Sequence, residues 1–407
     1  MTNEIFLLNI SGQDKPGLTS SLTNVLADYD AKVLDIGQAN IHETLSLGML
    51  FEIQSGEQSS AVQKDLLFKA YELGITAKFT PITLEDYEHW VSLQGKDRFI
   101  VTILGDKLSA YQISEVTKVI SEKNLNIDAI KRLTGRLSIV KKEEYPRASI
   151  ELSIRGKVEN KAELTEKFMQ ISRDLDVDIA FQEDDFYRRN RRLVCFDMDS
   201  TLIQTEVIDE LAELAGVGNE VKAITEAAMQ GDIDFNESFE RRMKLLKGLK
   251  EEVLHDVAVN LPITKGARRL IDTLKTYGFK TAILSGGFTY FGNYLQKELG
   301  IDYMYANQLE IKDGVLTGNF LGDIVNGEKK AEYLKEIAQK EGLHINQTIA
   351  VGDGANDLPM LNLAGLGIAF HAKPTVKDNA QSSISNIGLD GVLYLLGYHD
   401  RHIDLME

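Results

Sequence analysis

The sequence predicts an α/β protein in which two small ferredoxin-like α+β domains precede a larger domain with a Rossmann-like parallel sheet. Three observations lead to this prediction. The order strand-helix-strand-strand-helix-strand occurs twice before residue 183, as in a duplicated supersecondary unit. From residue 191 onward, apolar strands alternate with helices, the pattern of a mostly parallel sheet covered on both faces. Several of these strands end in carboxylates, hydroxyls or glycines, as expected where an open α/β sheet binds its ligand.

Composition restricts the class of protein. The 407 residues suffice for two or three domains of roughly 100–200 residues each. A net charge of −17 argues against an unaided nucleic-acid or anionic-membrane surface. The only cysteine, Cys195, lies within an apolar strand and is expected to be a small core residue. The N-terminus lacks the pattern of a signal peptide, and no apolar run approaches the ~20 residues of a membrane span. We therefore expect a cytoplasmic protein with neither nucleic acid nor membrane as partner.

The two repeated units are expected at residues 1–85 and 96–182, with a charged linker at 183–190. In the first unit, the turn Asp14-Lys15-Pro16-Gly17-Leu18 opens a helix with proline in its first turn. This turn resembles the opening of ACT domains, small modules that bind amino acids, usually between copies. The resemblance implies an amino-acid effector such as serine and a homodimer. At the corresponding turn, the second unit has Gly105-Asp106-Lys107-Leu108-Ser109 and lacks the Pro-Gly pair. The alternative is that both units only join protomers.

The most informative segment is Leu193–Leu202, in which four apolar residues are followed by Asp197 and Asp199. A short, continuously apolar run is typical of a strand buried on both faces. Residues i and i+2 of a strand point to the same side, so both carboxylates can reach one site. Two close carboxylates need a cation or a shared proton, and oxygen ligands suit Mg²⁺. The alternative is a strand end with two solvated aspartates.

Two further apolar strands end in polar residues. In Thr281–Gly287, the Ser285 hydroxyl can donate to a phosphoryl oxygen, and Gly286 lets a backbone N–H approach one closely. In Thr348–Asp357, Asp353 is placed to complete a Mg²⁺ shell. Asn356 can donate an amide hydrogen bond to substrate. Asp357, without binding the metal itself, can orient Asp353, a metal-bound water or a lysine.

These segments resemble, in order, the motifs of the haloacid dehalogenase superfamily in the form found in its phosphatases, which assigns residues 191–407 to such a domain. The resemblance implies that Asp197 is the nucleophile and Asp199 the general acid/base, with an aspartyl-phosphate intermediate. Mg²⁺ would be bound by Asp197, the backbone carbonyl of Asp199 and Asp353. The superfamily lysine corresponds to Lys330, although the count leaves Lys329 as an alternative.

Between Thr205 and Pro262 the pattern predicts helices without a strand, a small cap inserted into the core. Segments starting at Glu206, Glu226 and Phe235 resemble the cap of phosphoserine phosphatases. By this resemblance Glu206 binds the substrate ammonium, Arg242 its carboxylate, and Met229 and Phe235 form apolar walls. Arg binds carboxylates bidentately, which independently suits that role; the neighbouring Arg241 is the alternative.

The resemblance implies hydrolysis of O-phospho-L-serine to serine and phosphate, the last step of serine biosynthesis. One alternative is the same chemistry on another small phosphomonoester, or phosphoryl transfer to an alcohol. Another is a non-catalytic amino-acid sensor, in which a nucleophile or metal ligand should be missing; none is. The Asp-Gly pair at 313–314 between apolar runs predicts a hairpin that adds a second, smaller cover.

Overall fold

The computed structural model describes residues 3–93, 95, 97–136, 138, 140, 146–230 and 232–403, without the side chains of Met229 and Gln230. The chain divides into two compact units, Met1–Lys96 and Asp97–Glu407. Each unit contains its own hydrophobic core. Within the described residues, no helix combines the length and apolar character needed to cross a membrane.

The first unit is a four-stranded antiparallel sheet in the order β2-β3-β1-β4. Its elements are β1 Asn3–Gln13, α1 Leu18–Asp28, β2 Lys32–Ile41, β3 Thr44–Gln54, α2 Glu57–Leu73, β4 Thr76–Ile82 and α3 Leu84–Ser92. Buried and more exposed residues alternate along β3 because one face of the sheet packs on the helices. Pro16 precedes α1, so its predicted place in the first helical turn is wrong. Gly17 lies between them at a φ of 89°, a conformation that glycine adopts without steric cost.

The second unit begins with a sheet of the same topology, in the order β6-β7-β5-β8. Its elements are β5 Arg98–Gly105, α4 Ala110–Glu122, β6 Asn126–Arg132, β7 Ala148–Arg155, α5 Lys161–Leu175 and β8 Asp178–Glu183. Helix α4 begins with a reciprocal capping box between Ser109 and Gln112. The predicted ferredoxin-like order is therefore present in both sheets.

The same unit contains a seven-stranded sheet in the order β12-β11-β10-β9-β13-β14-β15. Its strands are β9 Leu193–Phe196, β10 Lys280–Phe288, β11 Tyr303–Lys312, β12 Val315–Leu321, β13 Thr348–Gly352, β14 Leu366–Phe370 and β15 Ser382–Ile384. All pairs are parallel except β11 with β12, which form a hairpin. Every residue of β9, β13 and β14 is buried, because helices cover both faces of the sheet. The predicted Rossmann-like core is confirmed.

The helices of this core also supply its cap. They are α6 Val207–Leu214, α7 Gly218–Gln230, α8 Phe235–Leu245, α9 Glu252–Val259, α10 Ala267–Thr276, α11 Thr289–Leu299, α12 Gly327–Lys340, α13 Leu358–Leu363, α14 Pro374–Lys377, α15 Gly391–Leu395 and α16 Asp400–Ile403. Helices α6 to α9 lie between β9 and α10 in the chain. The hairpin contacts this cap, since Phe320 packs edge-on against Phe239 of α8 with ring centroids 5.3 Å apart.

The small sheet of the second unit packs directly on the large domain. Leu104, Leu133 and Ala180 belong to the same hydrophobic cluster as the core strands. Asp178, at the start of β8, accepts backbone hydrogen bonds from Ser385 at 2.8 Å and Asn386 at 2.9 Å. One face of the small sheet therefore joins the apolar cluster of the large domain, while a separate core lies between this sheet and the helices α4 and α5.

Candidate active site

The first candidate residue, Asp197, lies just beyond the end of β9. Its backbone N–H donates to the Val351 carbonyl at 2.8 Å, which holds it between β9 and β13. The strand itself ends at Phe196, so the simple alternation expected for Asp197 and Asp199 does not come from a strand. The two residues instead have extended backbones, with φ/ψ of −67°/162° and −66°/137°. Burial and the charge of Glu206 raise the pKa of Asp199, and the two carboxyl groups are near enough for the Asp197 charge to raise it further.

Lys330, in the first turn of α12, is the lysine of the site. Its side chain has no solvent exposure, and its Nζ donates to Asp197 Oδ1 at 2.6 Å and Asp357 Oδ1 at 2.7 Å. Lys329 instead pairs with Glu332 at 2.7 Å and lies over the Tyr333 ring. Of the two lysines left open by the sequence, only Lys330 contacts the aspartates.

The turn after β13 brings two more carboxylates to the same place. Asp357 Oδ2 accepts from the backbone N–H groups of Asp353 at 3.1 Å and Gly354 at 3.0 Å. One carboxylate oxygen from each of Asp197, Asp353 and Asp357 lies within 4.8 Å of the others. Because Asp357 already binds Lys330 and two amides, Asp197 and Asp353 have more capacity left for a ligand.

The local charge balance favours a bound cation. Burial, repulsion by Asp357 and attraction by Lys330 combine to place the pKa of Asp197 at about 7. Burial, followed by repulsion from Asp197 and Asp357, raises the pKa of Asp353 to about 8. One lysine does not compensate this group of carboxylates, and all the donor atoms are oxygens. That donor set fits a hard divalent cation such as Mg²⁺.

The last residues of β10, where its pairing with β11 is irregular, supply hydroxyl and backbone groups. Ser285 is fully buried, and its Oγ accepts from the Gly287 N–H at 2.8 Å. That bond leaves the hydroxyl proton free to be donated. The Gly286 carbonyl accepts from Asn307 Nδ2 at 2.8 Å, while Asn307 Oδ1 accepts from the Val325 N–H at 2.8 Å. Asn307 thus holds the backbone of this part of β10 in position.

Glu206 and Arg242 extend the site into the cap. Glu206 accepts from Ser200 Oγ at 2.8 Å. Burial is the main cause that lowers the pKa of Arg242, and the negative charges of Glu206, Asp209 and Asp199 oppose it. These interactions place Arg242 toward the aspartates. Arg241, by contrast, pairs with Glu237 and has a side chain 52% exposed.

Phe235 and Asn356 lie at the edges of the same region. A Cβ built on Gly286 would lie 3.0 Å from Phe235 Cζ, so this ring covers the last part of β10. Asn356 is half-buried in the turn after β13, and its backbone carbonyl lies against Gly327. The side chain of Met229 lies outside the described residues.

Comparison with known proteins agrees with this arrangement. Residues 194–362 match the model of the haloacid dehalogenase-like hydrolases, and residues 4–80 and 98–182 each match an ACT domain model. A phosphoserine phosphatase of Mycobacterium tuberculosis is 37% identical over 405 residues, which cover 98% of this chain and 95% of the relative. This chain belongs to the phosphoserine phosphatase family.

Other members of the family and of its superfamily support this assignment. A phosphoserine phosphatase of Streptomyces coelicolor is 39% identical, with 98% of this chain and 94% of the relative covered. The structure of a probable phosphoserine phosphatase from Vibrio cholerae superposes with a TM-score of 0.58, at 35% identity, over 77% of this chain and 90% of the other. A HAD family hydrolase from Salmonella enterica gives a TM-score of 0.63 at 31% identity, over 73% of this chain and 98% of that chain.

Sequence reasoning missed several residues that shape this phosphatase-family site. A Cβ on Gly287 would lie 2.5 Å from Asp199 Oδ2, so only glycine leaves room for that carboxylate. The Val207 N–H donates to Asp199 Oδ1 at 2.8 Å, and Thr201 Oγ1 donates to Asp353 Oδ1 at 3.4 Å. Gly287 stood next to Gly286 in a recognised motif and was accessible to sequence reasoning. Nothing local in the sequence signalled the backbone role of Val207.

Proposed function

We propose that this protein hydrolyses O-phospho-L-serine to L-serine and phosphate with Mg²⁺, through an aspartyl-phosphate on Asp197. The observation that supports the proposal is the hydrogen bond from Lys330 to Asp197, whose carboxylate interacts electrostatically with Asp199, as Asp199 does with Glu206 and Arg242. A nucleophilic carboxylate and a pair of charges suited to an amino acid would then be neighbours. Family membership makes phosphoserine the first substrate to test.

Asp197 would act as the nucleophile. Lys330 binds its Oδ1, which leaves the other oxygen to attack phosphorus while the bond to the serine oxygen breaks. Asp199 would donate a proton to that departing oxygen. Burial, together with the charges of Glu206 and Asp197, raises the pKa of Asp199 well above its usual range, which favours the protonated form needed for this step. The resulting carboxylate would then take a proton from the water that hydrolyses the aspartyl-phosphate.

Asp197, the Asp199 carbonyl and Asp353 would hold Mg²⁺. When bound, the ion would neutralise charge on the phosphoryl oxygens and on the carboxylates around it. Asp357 would keep Lys330 and the backbone of Asp353 in position through the hydrogen bonds already described. Ser285 and the Gly286 N–H would donate to the remaining phosphoryl oxygens.

The cap would select the amino-acid part of the substrate. Glu206 would bind the ammonium and Arg242 the carboxylate, because a zwitterion needs one partner of each sign. Phe235 and Met229 would exclude water, and Asn356 would donate an amide hydrogen bond to the substrate.

The test is phosphate release from O-phospho-L-serine, beside phosphothreonine and p-nitrophenyl phosphate, with and without Mg²⁺. Strong preference for phosphoserine that requires the metal supports the whole proposal. Metal-dependent release without preference would retain the Asp197 chemistry but reject the clamp. No release from any substrate would favour a non-catalytic sensor.

We also propose that the first ACT domain binds an amino-acid effector, with serine as the first candidate. The turn Asp14–Leu18 lines a cavity of about 440 Å³ together with Gln38, and Asn40 Nδ2 donates to Asp14 Oδ2 at 2.5 Å. These groups offer both polar donors and acceptors to a small zwitterion. Serine as the product of the last biosynthetic step would then regulate its own formation. Unchanged turnover across a serine titration would reject this role.

A homodimer in the cytoplasm completes the proposal. On α2, Leu67, Phe68 and Tyr71 are exposed, Tyr71 by 83%. An apolar group of this kind favours association with another surface. The single buried cysteine suits a reducing compartment. Light scattering should give twice the mass of one chain; the mass of a single chain would reject the dimer.

A further inference from the structure

A second cavity, of about 370 Å³, lies where the small sheet of the second unit meets the large domain. Its walls include Thr165 of α5, Phe181 of β8, Tyr187, Arg191 and Leu366. Arg191 precedes β9 and Leu366 begins β14, so the cavity is at the N-terminal ends of the parallel strands. The catalytic aspartates follow the opposite ends. This cavity is therefore separate from the site described above.

Arg191 is the unusual group in this cavity, because it is buried without a charged hydrogen-bond partner among the described residues. It is only 6% exposed. Its Nη1 donates to Gln182 Oε1 at 2.8 Å and its Nη2 to the Gly365 carbonyl at 3.3 Å. Its Nε is buried and has no hydrogen-bond partner within the part of the chain that the structure describes. Both existing partners are neutral, so neither compensates the positive charge.

The neighbouring Arg188 is similarly buried, and its Nε too has no hydrogen-bond partner among the described residues. It differs from Arg191 in having a hydrogen-bonded counter-charge, since its Nη2 donates to Glu151 Oε2 at 2.6 Å. Its charge also adds to burial in lowering the pKa of Arg191, which lies at about 10. The negative charge of Asp185 partly opposes this shift, but no carboxylate is hydrogen-bonded to Arg191 among the described residues. A buried charge without a hydrogen-bonded counter-charge is costly, and an anion bound in the cavity would reduce that cost for Arg191.

We propose that this cavity binds a small monocarboxylate, with its carboxylate on Arg191 and its apolar body against Phe181 and Leu366. A single guanidinium that lacks a hydrogen-bonded carboxylate matches a single negative charge. Glu183 and Asp185 also line the cavity, and their charges repel a dianion such as phosphate more strongly than a monoanion. Lys161, at the entrance, is already paired with Glu183. A free Nε–H suits a planar carboxylate, which guanidinium groups bind side-on.

The test uses the full chain with Mg²⁺ and calorimetric titration of sodium benzoate, with benzamide as the uncharged probe. We expect saturable binding of benzoate and none of benzamide. Arg191→Met keeps the volume of the side chain and should raise the dissociation constant at least tenfold. Arg189→Met is the matched control, because Arg189 is exposed and does not line the cavity. It should bind as the unaltered chain does.

Two further variants test whether benzoate binds in this cavity or in the cap. Thr165→Trp should fill the cavity while leaving Arg191 in place, so it too should abolish binding even if Arg191→Met folds poorly. Arg242→Met should retain benzoate binding, which would exclude the cap as the binding site. The proposal is overturned if benzoate does not bind up to about 10 mM. It is equally overturned if Arg191→Met and Thr165→Trp bind benzoate normally, or if only Arg242→Met loses binding.

Discussion

Lys330 is a fully buried ammonium held by two carboxylates. Removing such a charge from water costs several kcal/mol, and hydrogen-bonded partners of opposite sign must offset this cost. Asp197 and Asp357 do so at 2.6 and 2.7 Å. This pairing competes with burial and with the repulsion among Asp197, Asp353 and Asp357, which together raise the pKa values of Asp197 and Asp353. The attraction to Lys330 is thus partly offset by repulsion among the aspartates.

Asp197→Asn tests the role of Asp197 in the reaction separately from its role in the stability of the fold. The amide cannot attack phosphorus, so phosphate release from O-phosphoserine should fall by at least about a thousandfold. The fold should persist, since Lys330 keeps Asp357 and one repulsive charge is lost. Phosphate release measures the activity, and the midpoint of thermal unfolding measures the stability of the fold. Activity within tenfold of the unaltered chain would contradict a nucleophilic role for Asp197.

Arg242→Met tests substrate selection. Loss of a hydrogen-bonded charge pair with the substrate carboxylate should cost about 1.5–3 kcal/mol, or about 10- to 150-fold in kcat/KM for phosphoserine. Hydrolysis of p-nitrophenyl phosphate, which has no carboxylate, should change little. Arg241→Met is the control, since Arg241 is exposed and pairs with Glu237. An equal loss for both substrates would assign Arg242 a structural role instead.

At the scale of elements, the parts predicted from sequence are those with a local pattern. The strand ending at Phe196 was recognisable because its four residues are all apolar and carboxylates follow at once. Lys330 could be distinguished from Lys329 only through the motif it belongs to. Asn307 was not recognisable, because its partners Gly286 and Val325 are far along the chain and no periodicity links them.

The hydrogen bonds between β8 and the residues after β15 could not be predicted from the sequence for the same reason. Asp178 and its partners Ser385 and Asn386 are separated by more than 200 positions. An aspartate at the start of a strand is ordinarily expected in water, yet this side chain is completely buried. Burial outweighs the hydrogen bonds it accepts and raises its pKa from 3.8 to about 6.

This shift predicts a pH dependence of stability. Because the pKa is higher in the folded than in the unfolded chain, the contribution of Asp178 is most favourable below pH 3.8 and is lost as the pH rises through 6. The loss should amount to about 3 kcal/mol. Asp178→Asn removes the ionisable group and with it this pH-dependent contribution to the free energy of unfolding. The difference in free energy of unfolding, unaltered chain minus variant, should therefore fall between pH 4 and 6. Denaturant titrations with Mg²⁺ measure this difference, and a difference independent of pH would contradict the assignment.

At the scale of the whole molecule, the second ACT domain is part of the catalytic unit. Beyond the shared apolar cluster, the Asp400 carboxylate accepts from the Gly135 N–H at 2.6 Å and from Arg269 Nη2 at 3.0 Å. Asp390 pairs with Arg147 of the small domain and with Arg269 at 2.8 Å. Arg269 of the large domain pairs with both aspartates, and Arg147 adds a second positive charge next to Asp390 only when the small domain is present. Each ACT domain also has an apolar core of its own, and the first ACT domain forms a separate compact unit.

Two truncations test this division. Residues 97–407 should fold and hydrolyse phosphoserine at a rate within about threefold of that of the full chain. This fragment retains all residues of the apolar cluster to which the small sheet and the large domain both contribute. Their activity should no longer respond to serine. Residues 191–407 should unfold at a lower temperature, because removal of Leu104, Leu133 and Ala180 exposes apolar surface and leaves Asp390 without Arg147. Thermal unfolding and phosphate release measure both fragments. Equal unfolding temperatures for the two fragments would show that the second ACT domain contributes nothing to the stability of the phosphatase domain.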